Sequence, residues 1–252
     1  MIELTEKKVI RHSSLLLNVF LVILIAGCSK DESPGESLLN LPDTLNAITD
    51  RVTDIDGNSY RIVVVGTQTW MAENLRTTKL NDGTPVPNVT VGSEWVRLTS
   101  PGYCWYANNE ADNKNTYGAL YNWYAVNSGK LAPLGWHVPT QEEWTTLIEY
   151  LGGEEKAGGR MKEAGLVYWN SPNADATNLS GFSARAGGGR DCFCSGTHGL
   201  KDKGYWWTAT ASDNKDMAYY HMLVKETGKI DNTADIINYK TLGFSVRCVK
   251  DR

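Results

Sequence analysis

The chain has 252 residues, enough for one large domain or two modest ones, and at 41% hydrophobic and 21% charged its composition excludes wholesale disorder. Its 25 Lys and Arg against 29 Asp and Glu leave a net charge of -4, which argues against nucleic-acid binding through phosphate neutralisation. The unusual feature is nine Trp and twelve Tyr beside only four Phe. Such rings carry a polar handle and suit half-buried positions and binding surfaces.

Lys7, Lys8, Arg11 and His12 form a basic segment ahead of the apolar run Leu15 to Gly27, interrupted only by Asn18. As a helix this run spans roughly 20 Å, short of the roughly 30 Å hydrocarbon core, so residues 1–27 read as a signal peptide rather than a membrane span. Ile25-Ala26-Gly27-Cys28 resembles a bacterial lipobox, which implies lipidation of Cys28 and anchoring to the outer membrane through diacylglycerol and a fatty acid such as palmitate. Ser29-Lys30-Asp31-Glu32 resembles the acidic export tag of Bacteroidetes-type lipoproteins, implying exposure to the cell exterior. Residues 28–50 carry Ser, Pro, Gly, Asp and Glu and no aromatic residue, and read as the lipidated Cys and a flexible tether. Asp43-Thr44-Leu45 resembles an O-glycosylation signal of the same phylum.

Residues 51–252 read as a single domain large enough to bury a core. Asp54-Ile55-Asp56-Gly57-Asn58 predicts a turn, Tyr60 to Val65 a β-branched strand, and Gly66-Thr67-Gln68 the turn of a hairpin into Thr69-Trp70-Met71. A helix is predicted from Tyr117 to Val126, with Leu120, Trp123 and Tyr124 on its buried side. The clearest helix runs from Thr140 to Leu151. Thr140 and Glu143 have capping-box spacing, Gly152-Gly153 ends it, and Trp144, Leu147, Ile148 and Leu151 share one face. A short turn of helix is expected near Glu155 to Lys162. Strands are expected at Tyr205 to Thr210, Ala218 to Val224 and Gly243 to Val249.

Several of these segments carry a resemblance. Gln68-Thr69-Trp70-Met71-Ala72-Glu73-Asn74-Leu75, Tyr117-Gly118-Ala119-Leu120-Tyr121-Asn122-Trp123, Gly135-Trp136-His137-Val138-Pro139-Thr140 with Glu143-Trp144, Gly181-Phe182-Ser183-Ala184, Tyr205-Trp206-Trp207 and Gly243-Phe244-Ser245-Val246-Arg247-Cys248-Val249 are similar, in order, to the Fibrobacter succinogenes major paralogous domain family. The resemblance implies an α+β, C-type-lectin-like fold related to the formylglycine-generating enzyme, with two main helices, a small twisted antiparallel sheet and long loops. It also implies a surface or secreted bacterial protein, without a settled activity.

With Cys28 assigned to lipid, Cys104, Cys192, Cys194 and Cys248 allow three full pairings, and export favours oxidation. Because Cys104 and Cys248 lie in segments that match the family, the resemblance favours a disulfide between them. Asp191-Cys192-Phe193-Cys194 departs from the family pattern. A bridge across one residue would be strained, so these read as free or loosely paired loop thiols. His137 reads as a structural hydrogen-bonding group, and no Gly-x-Ser-x-Gly or His-Glu-x-x-His motif is present.

Asn108, Asn109, Glu110, Asp112 and Asn113 gather hard oxygen ligands of the kind calcium prefers, without EF-hand spacing, and read first as a solvated turn. No cofactor is therefore expected, with calcium possible. For recognition the candidates are Trp169, Asn170, Arg185, Arg190, Asp191 and Tyr205, aromatic and polar groups in or beside Gly-rich loops, together with one of Trp206 and Trp207. The sequence thus points to a non-enzymatic, surface-anchored binding module for a glycan or a surface protein, with no nucleic-acid partner. The alternatives are a structural or tip subunit of a surface appendage or envelope assembly and, behind it, a cysteine-dependent oxidoreductase.

Overall fold

Asp54 starts the fold by local chemistry. One oxygen of its carboxylate accepts the backbone N–H groups of Asp56 (3.0 Å) and Asn58 (2.9 Å), closing an Asx turn with Gly57 at φ 81°. The chain thereby reverses from one strand into the next. The computed structural model describes residues 50–192, 196–231 and 237–252 (backbone alone at 237 and 238), all within one unit, Asn46–Arg252.

Among the described residues the strands are β1 (Arg51–Thr53), β2 (Ser59–Val65), β3 (Gln68–Met71), β4 (Tyr103–Cys104), β5 (Leu120–Tyr121) and β6 (Trp136–His137). They continue as β7 (Gly187–Arg190), β8 (Thr197–Leu200), β9 (Lys203–Ala211), β10 (Met217–Val224), β11 (Ile237–Tyr239) and β12 (Val249–Lys250). The helices are α1 (Gly92–Trp95), α2 (Glu110–Tyr117), α3 (Trp123–Asn127), α4 (Gln141–Tyr150) and α5 (Glu154–Met161). None is long and apolar enough to cross a membrane.

Two five-stranded sheets carry the structure, ordered β1-β2-β3-β12-β6 and β11-β10-β9-β7-β8, with β4 and β5 forming a separate pair. Pairing is antiparallel throughout except between β7 and β9.

This corrects the α+β, C-type-lectin-like expectation with two main helices: the fold is β-rich, and the longest helix among the described residues, α4, has ten residues. The expected helix from Tyr117 to Val126 is broken at Gly118, which sits at φ 78°, ψ -172°. A Cβ there would meet the Leu75 carbonyl at 2.7 Å and the Asn74 Cβ at 2.8 Å, so the backbone passes where only glycine fits. Tyr117 therefore ends α2, Leu120 enters β5, and Trp123 begins α3 with the Asn122 side chain as its cap. The apolar spacing that mimicked a helical face comes from three short elements in succession. Gly243 to Val249 is likewise not one strand; only Val249 and Lys250 pair regularly, while Phe244 and Ser245 make isolated bridges to Tyr121 and Trp206. Helix α4 forms as its sequence requires: Thr140 Oγ1 accepts from Glu143 N, and the Glu143 carboxylate accepts from Thr140 N, closing the capping box.

Strand β9 divides the interior. Tyr205 and Trp207 face a core with Phe244, Tyr121, Val246 and Tyr220, whereas Trp206 faces another with Trp70, Trp144, Trp169 and Phe182. Alternation along a strand sends successive side chains to opposite faces, and here both faces are covered. Eight of the nine Trp are buried, so their excess reports architecture rather than a binding surface. Each such ring contributes at most roughly 4–6 kcal/mol by area.

Candidate functional site

Four of the six motif segments meet at one carboxamide, and a fifth joins them through Arg247. Asn74, just after β3, donates through Nδ2 to the Tyr117 carbonyl (2.8 Å) and Ser245 Oγ (3.2 Å). Its Oδ1 accepts from Trp206 Nε1 (2.9 Å) and from Arg247 Nε (3.2 Å) and Nη2 (2.7 Å). Arg247 also donates to the carbonyls of Phe182 and Ser183 and lies 4.2 Å over the Phe182 ring. The Gln68–Leu75, Tyr117–Trp123, Gly181–Ala184, Tyr205–Trp207 and Gly243–Val249 segments are thus tied to one another by side-chain polarity inside the core.

Arg247 is 1% exposed, and no ion pair is formed by it among the described residues. Burial pulls its guanidinium down to about 9; Glu73 works against this, while Arg185 and Arg61 add to it. A buried charge held only by neutral acceptors is costly, and its compensation rests on complete hydrogen bonding.

The outer side of this network is a small polar cleft between Glu73, Arg76, Asn115, Thr116, Ser183, Arg185 and Arg247, about 250 Å³ including its open mouth, of which about 10 Å³ is enclosed room. That room admits about one water-sized group. Glu73 is gripped by Arg61 (3.1 Å), Arg76 (3.2 Å) and, more loosely, Arg51 (3.9 Å). Burial would raise its carboxyl, but hydrogen bonds from Arg61 and Arg76 hold it below the usual carboxylate value. Arg185 pairs with Glu163 (2.6 Å), donates to the Thr116 carbonyl (3.1 Å) and lies 3.8 Å over the Tyr168 ring. Arg76 lies 4.4 Å over Tyr60, and its buried Nε has no acceptor among the described residues. Five guanidinium groups (Arg51, Arg61, Arg76, Arg185, Arg247) thus stand around two carboxylates (Glu73, Glu163). The cleft is electropositive in a chain whose net charge is negative.

Of the residues expected to bind, only Arg185 lines this cleft. Trp169 is fully buried and donates from Nε1 to the Ala184 carbonyl (2.9 Å). Tyr205 is a core ring stacked 4.7 Å from Phe244, and Trp206 and Trp207 are both buried, because β9 has a core on each face. Arg190 is 3% exposed; it spans the carbonyls of Val89 and Thr90 and covers Trp95 at 4.5 Å. Asn170 is exposed and donates to Asp202 (3.0 Å), while Asp191 is half-buried at the end of β7, with its backbone N–H on Gly196. A recognition surface built on Trp169, Arg190 and Tyr205 is therefore corrected: the residues that looked available in loops hold the fold.

The run from Asn108 to Asn113, read first as a solvated turn, leads into and forms the first turns of α2. Asn109 caps α2 by accepting from Asp112 N (3.2 Å) and donates to the Asp112 carboxylate (2.7 Å). Asn113 is buried and donates to two backbone carbonyls, Glu110 pairs with Lys114 (2.8 Å), and Asn108 donates to Thr90. These groups turn toward the helix and its supports. No cluster of three or more His, Cys, Asp or Glu among the described residues is arranged to hold a metal.

Cys104 and Cys248 are both buried free thiols, not a disulfide. Cys104 packs with Trp95 and Leu120, Cys248 in the separate Phe244 core; burial pushes both thiols up. Cys192 is a half-buried thiol against the Phe244 core, and burial raises it too. Cys28 and Cys194 lie outside the described residues.

His137 does form the structural hydrogen bonds expected of it, from Nδ1 to Asp251 (2.6 Å) and from Nε2 to Glu143 (2.9 Å). The residues that sequence reasoning passed over are Glu73, Asn74, Arg76 and Arg247. The available signal was a charged residue inside an apolar run, Arg247 in Phe244-Ser245-Val246-Arg247-Cys248-Val249, which is expected only where polar partners await it.

The sequence profile of the Fibrobacter succinogenes major domain matches residues 63–250. No match was found among curated proteins or among solved structures.

Proposed function

We propose, for a chain that belongs to the Fibrobacter succinogenes major domain family, that it is a non-enzymatic binding module for a glycan or protein ligand, displayed on the outer membrane by a lipid on Cys28. The observation that carries this reading is the cleft. Its floor is fixed by the Asn74–Arg247 network, so its donors are set in place before a ligand arrives, and pre-organisation lowers the cost of ordering on binding. Five guanidinium groups around two carboxylates leave a positive field to be used. Support for the address comes from the Leu15–Gly27 apolar run ending in Cys28 and from the aromatic-free segment that follows it.

The test uses the purified full-length protein in detergent against a glycan array and in pull-downs from envelope fractions. A saturable ligand of either class, weakened by Arg185→Gln, supports the reading. No saturable ligand of either class, or one that Arg185→Gln leaves untouched, overturns it.

A further inference from the structure

We infer that the cleft takes a single carboxylate borne by an acidic sugar, a uronic-acid unit of a surface-lying polysaccharide; this inference rests on the binding-module reading. Four observations narrow the ligand to that class.

The first is charge. Each carboxylate already present is engaged: Glu73 by three arginines, Glu163 by Arg185. Arg247 has neutral acceptors and no counter-ion among the described residues. One negative group at the mouth would offset a charge that Glu73 and Glu163 compensate only without direct contact. The second is donor inventory. Arg185 uses three of its N–H bonds on Glu163 and Thr116, and a guanidinium offers five in a planar fork. Arg76 Nε is a further donor without an acceptor among the described residues. A flat carboxylate matches such a fork better than a tetrahedral anion needing more room.

The third is size. The space inside is about 10 Å³ and excludes a ring, so at most one oxygen of the acid enters and the body of the ligand stays outside, across the mouth. The fourth is the rim. Asn115 is exposed on the last turns of α2, and the side chains of Asn115 and Thr116 make no hydrogen bond among the described residues. An amide and a hydroxyl, neutral and able to donate and accept, suit sugar hydroxyls beside the acid. An acidic peptide run would call for more free cations, and Arg51 is already turned to Ser59 and Arg61 to Glu73.

Trigalacturonate, a neutral galactose trisaccharide, a sulfated galactose trisaccharide and a hexaglutamate peptide, titrated into the full-length protein at fixed ionic strength, test the inference. Trigalacturonate is expected to bind, at least tenfold more tightly than the other three. Asn115→Asp sets a carboxylate at the mouth on an exposed helical position, leaves the hydrogen bonding of the fold intact, and is expected to weaken trigalacturonate at least tenfold. Arg185→Gln is expected to do the same. Equal binding of the hexaglutamate, neutral or sulfated probe, or trigalacturonate binding that Asn115→Asp does not change, overturns the inference. If another glycan or protein binds and Asn115→Asp spares it, the acidic-sugar assignment fails and the binding-module reading stands; if nothing binds, both fail.

Discussion

Arg247 and Asp251 lie four residues apart near the C terminus, and each ties that segment to the rest of the domain through charge. Arg247 does so in the core: it grips Asn74 and two backbone carbonyls with water excluded. Asp251 does so at the surface, where its carboxylate, 54% exposed, meets His137, whose other nitrogen meets Glu143 of α4. Both clusters join strands to loops through side-chain hydrogen bonds. They differ in solvent, and solvent sets what each is worth. A buried polar network concentrates its free energy in completeness, since any unpaired member bears the full desolvation cost. An exposed ion pair contributes about 0–1 kcal/mol, because water replaces whatever is lost.

The most severe way to break that contrast is Asn74→Ala. It strips acceptors from Arg247 and Trp206 and donors from Tyr117 and Ser245, and should cost about 3–5 kcal/mol of stability, read as a lowered urea midpoint. A loss below about 1 kcal/mol would show that the hub is no more than surface chemistry moved indoors.

Histidine 221 sharpens the comparison through pH. Its ring is fully buried 4.7 Å from Trp144, with neither nitrogen hydrogen-bonded among the described residues. Burial depresses its pKa to about 4, with the Asp231 backbone acting the other way. The unfolded chain, titrating near 6.5, therefore binds the proton first as pH falls. This contribution is complete above pH 6.5 and is lost between about 6.5 and 4, up to about 3 kcal/mol. Urea midpoints measured across that window should fall in the parent and flatten in His221→Phe; parallel curves would count against a buried neutral imidazole.

His137 should respond with the opposite sign and a smaller size. Burial lowers its pKa, but Asp251 and Glu143 more than compensate, and the net shift is upward. Its contribution is complete below the unfolded value near 6.5 and declines as pH rises through the raised folded value. At 38% exposure it should amount to less than about 1 kcal/mol, and Asp251→Asn should remove part of it below about pH 6.5 and flatten the decline above that value. The thiols give a last contrast, with no effect on stability. Cys104 and Cys248 should resist alkylation in the native protein and react together on unfolding without reductant; a pair that reacts only after reduction would be a disulfide.

What was legible in the sequence follows from range. The capping box of α4, the β2–β3 hairpin and the turn at Asp54 depend on residues within a few positions of one another, and they form where local chemistry places them. The region from Tyr117 to Val126 was misread because the decisive contact, Leu75 and Asn74 pressed against Gly118, comes from more than forty residues away. The site followed the same rule. Arg185 was identifiable as a charged residue in a Gly-rich stretch, but Trp169, Arg190 and Tyr205 looked available only because their partners at Ala184, Val89 and Phe244 cannot be seen from their own loops. Asn74 and Arg247 stood in plain view within their motifs, 173 residues apart, and nothing local joins them.

The central claim is that a rigid buried hub presents an electropositive cleft to an acidic ligand. Arginine footprinting with a dicarbonyl reagent, read by mass spectrometry with and without trigalacturonate, tests it most directly. The account predicts selective protection of Arg185 and Arg76, with the remote Arg97 and Arg252 modified equally in both states. Protection spread evenly over all arginines, or confined to those outside the cleft, would contradict it.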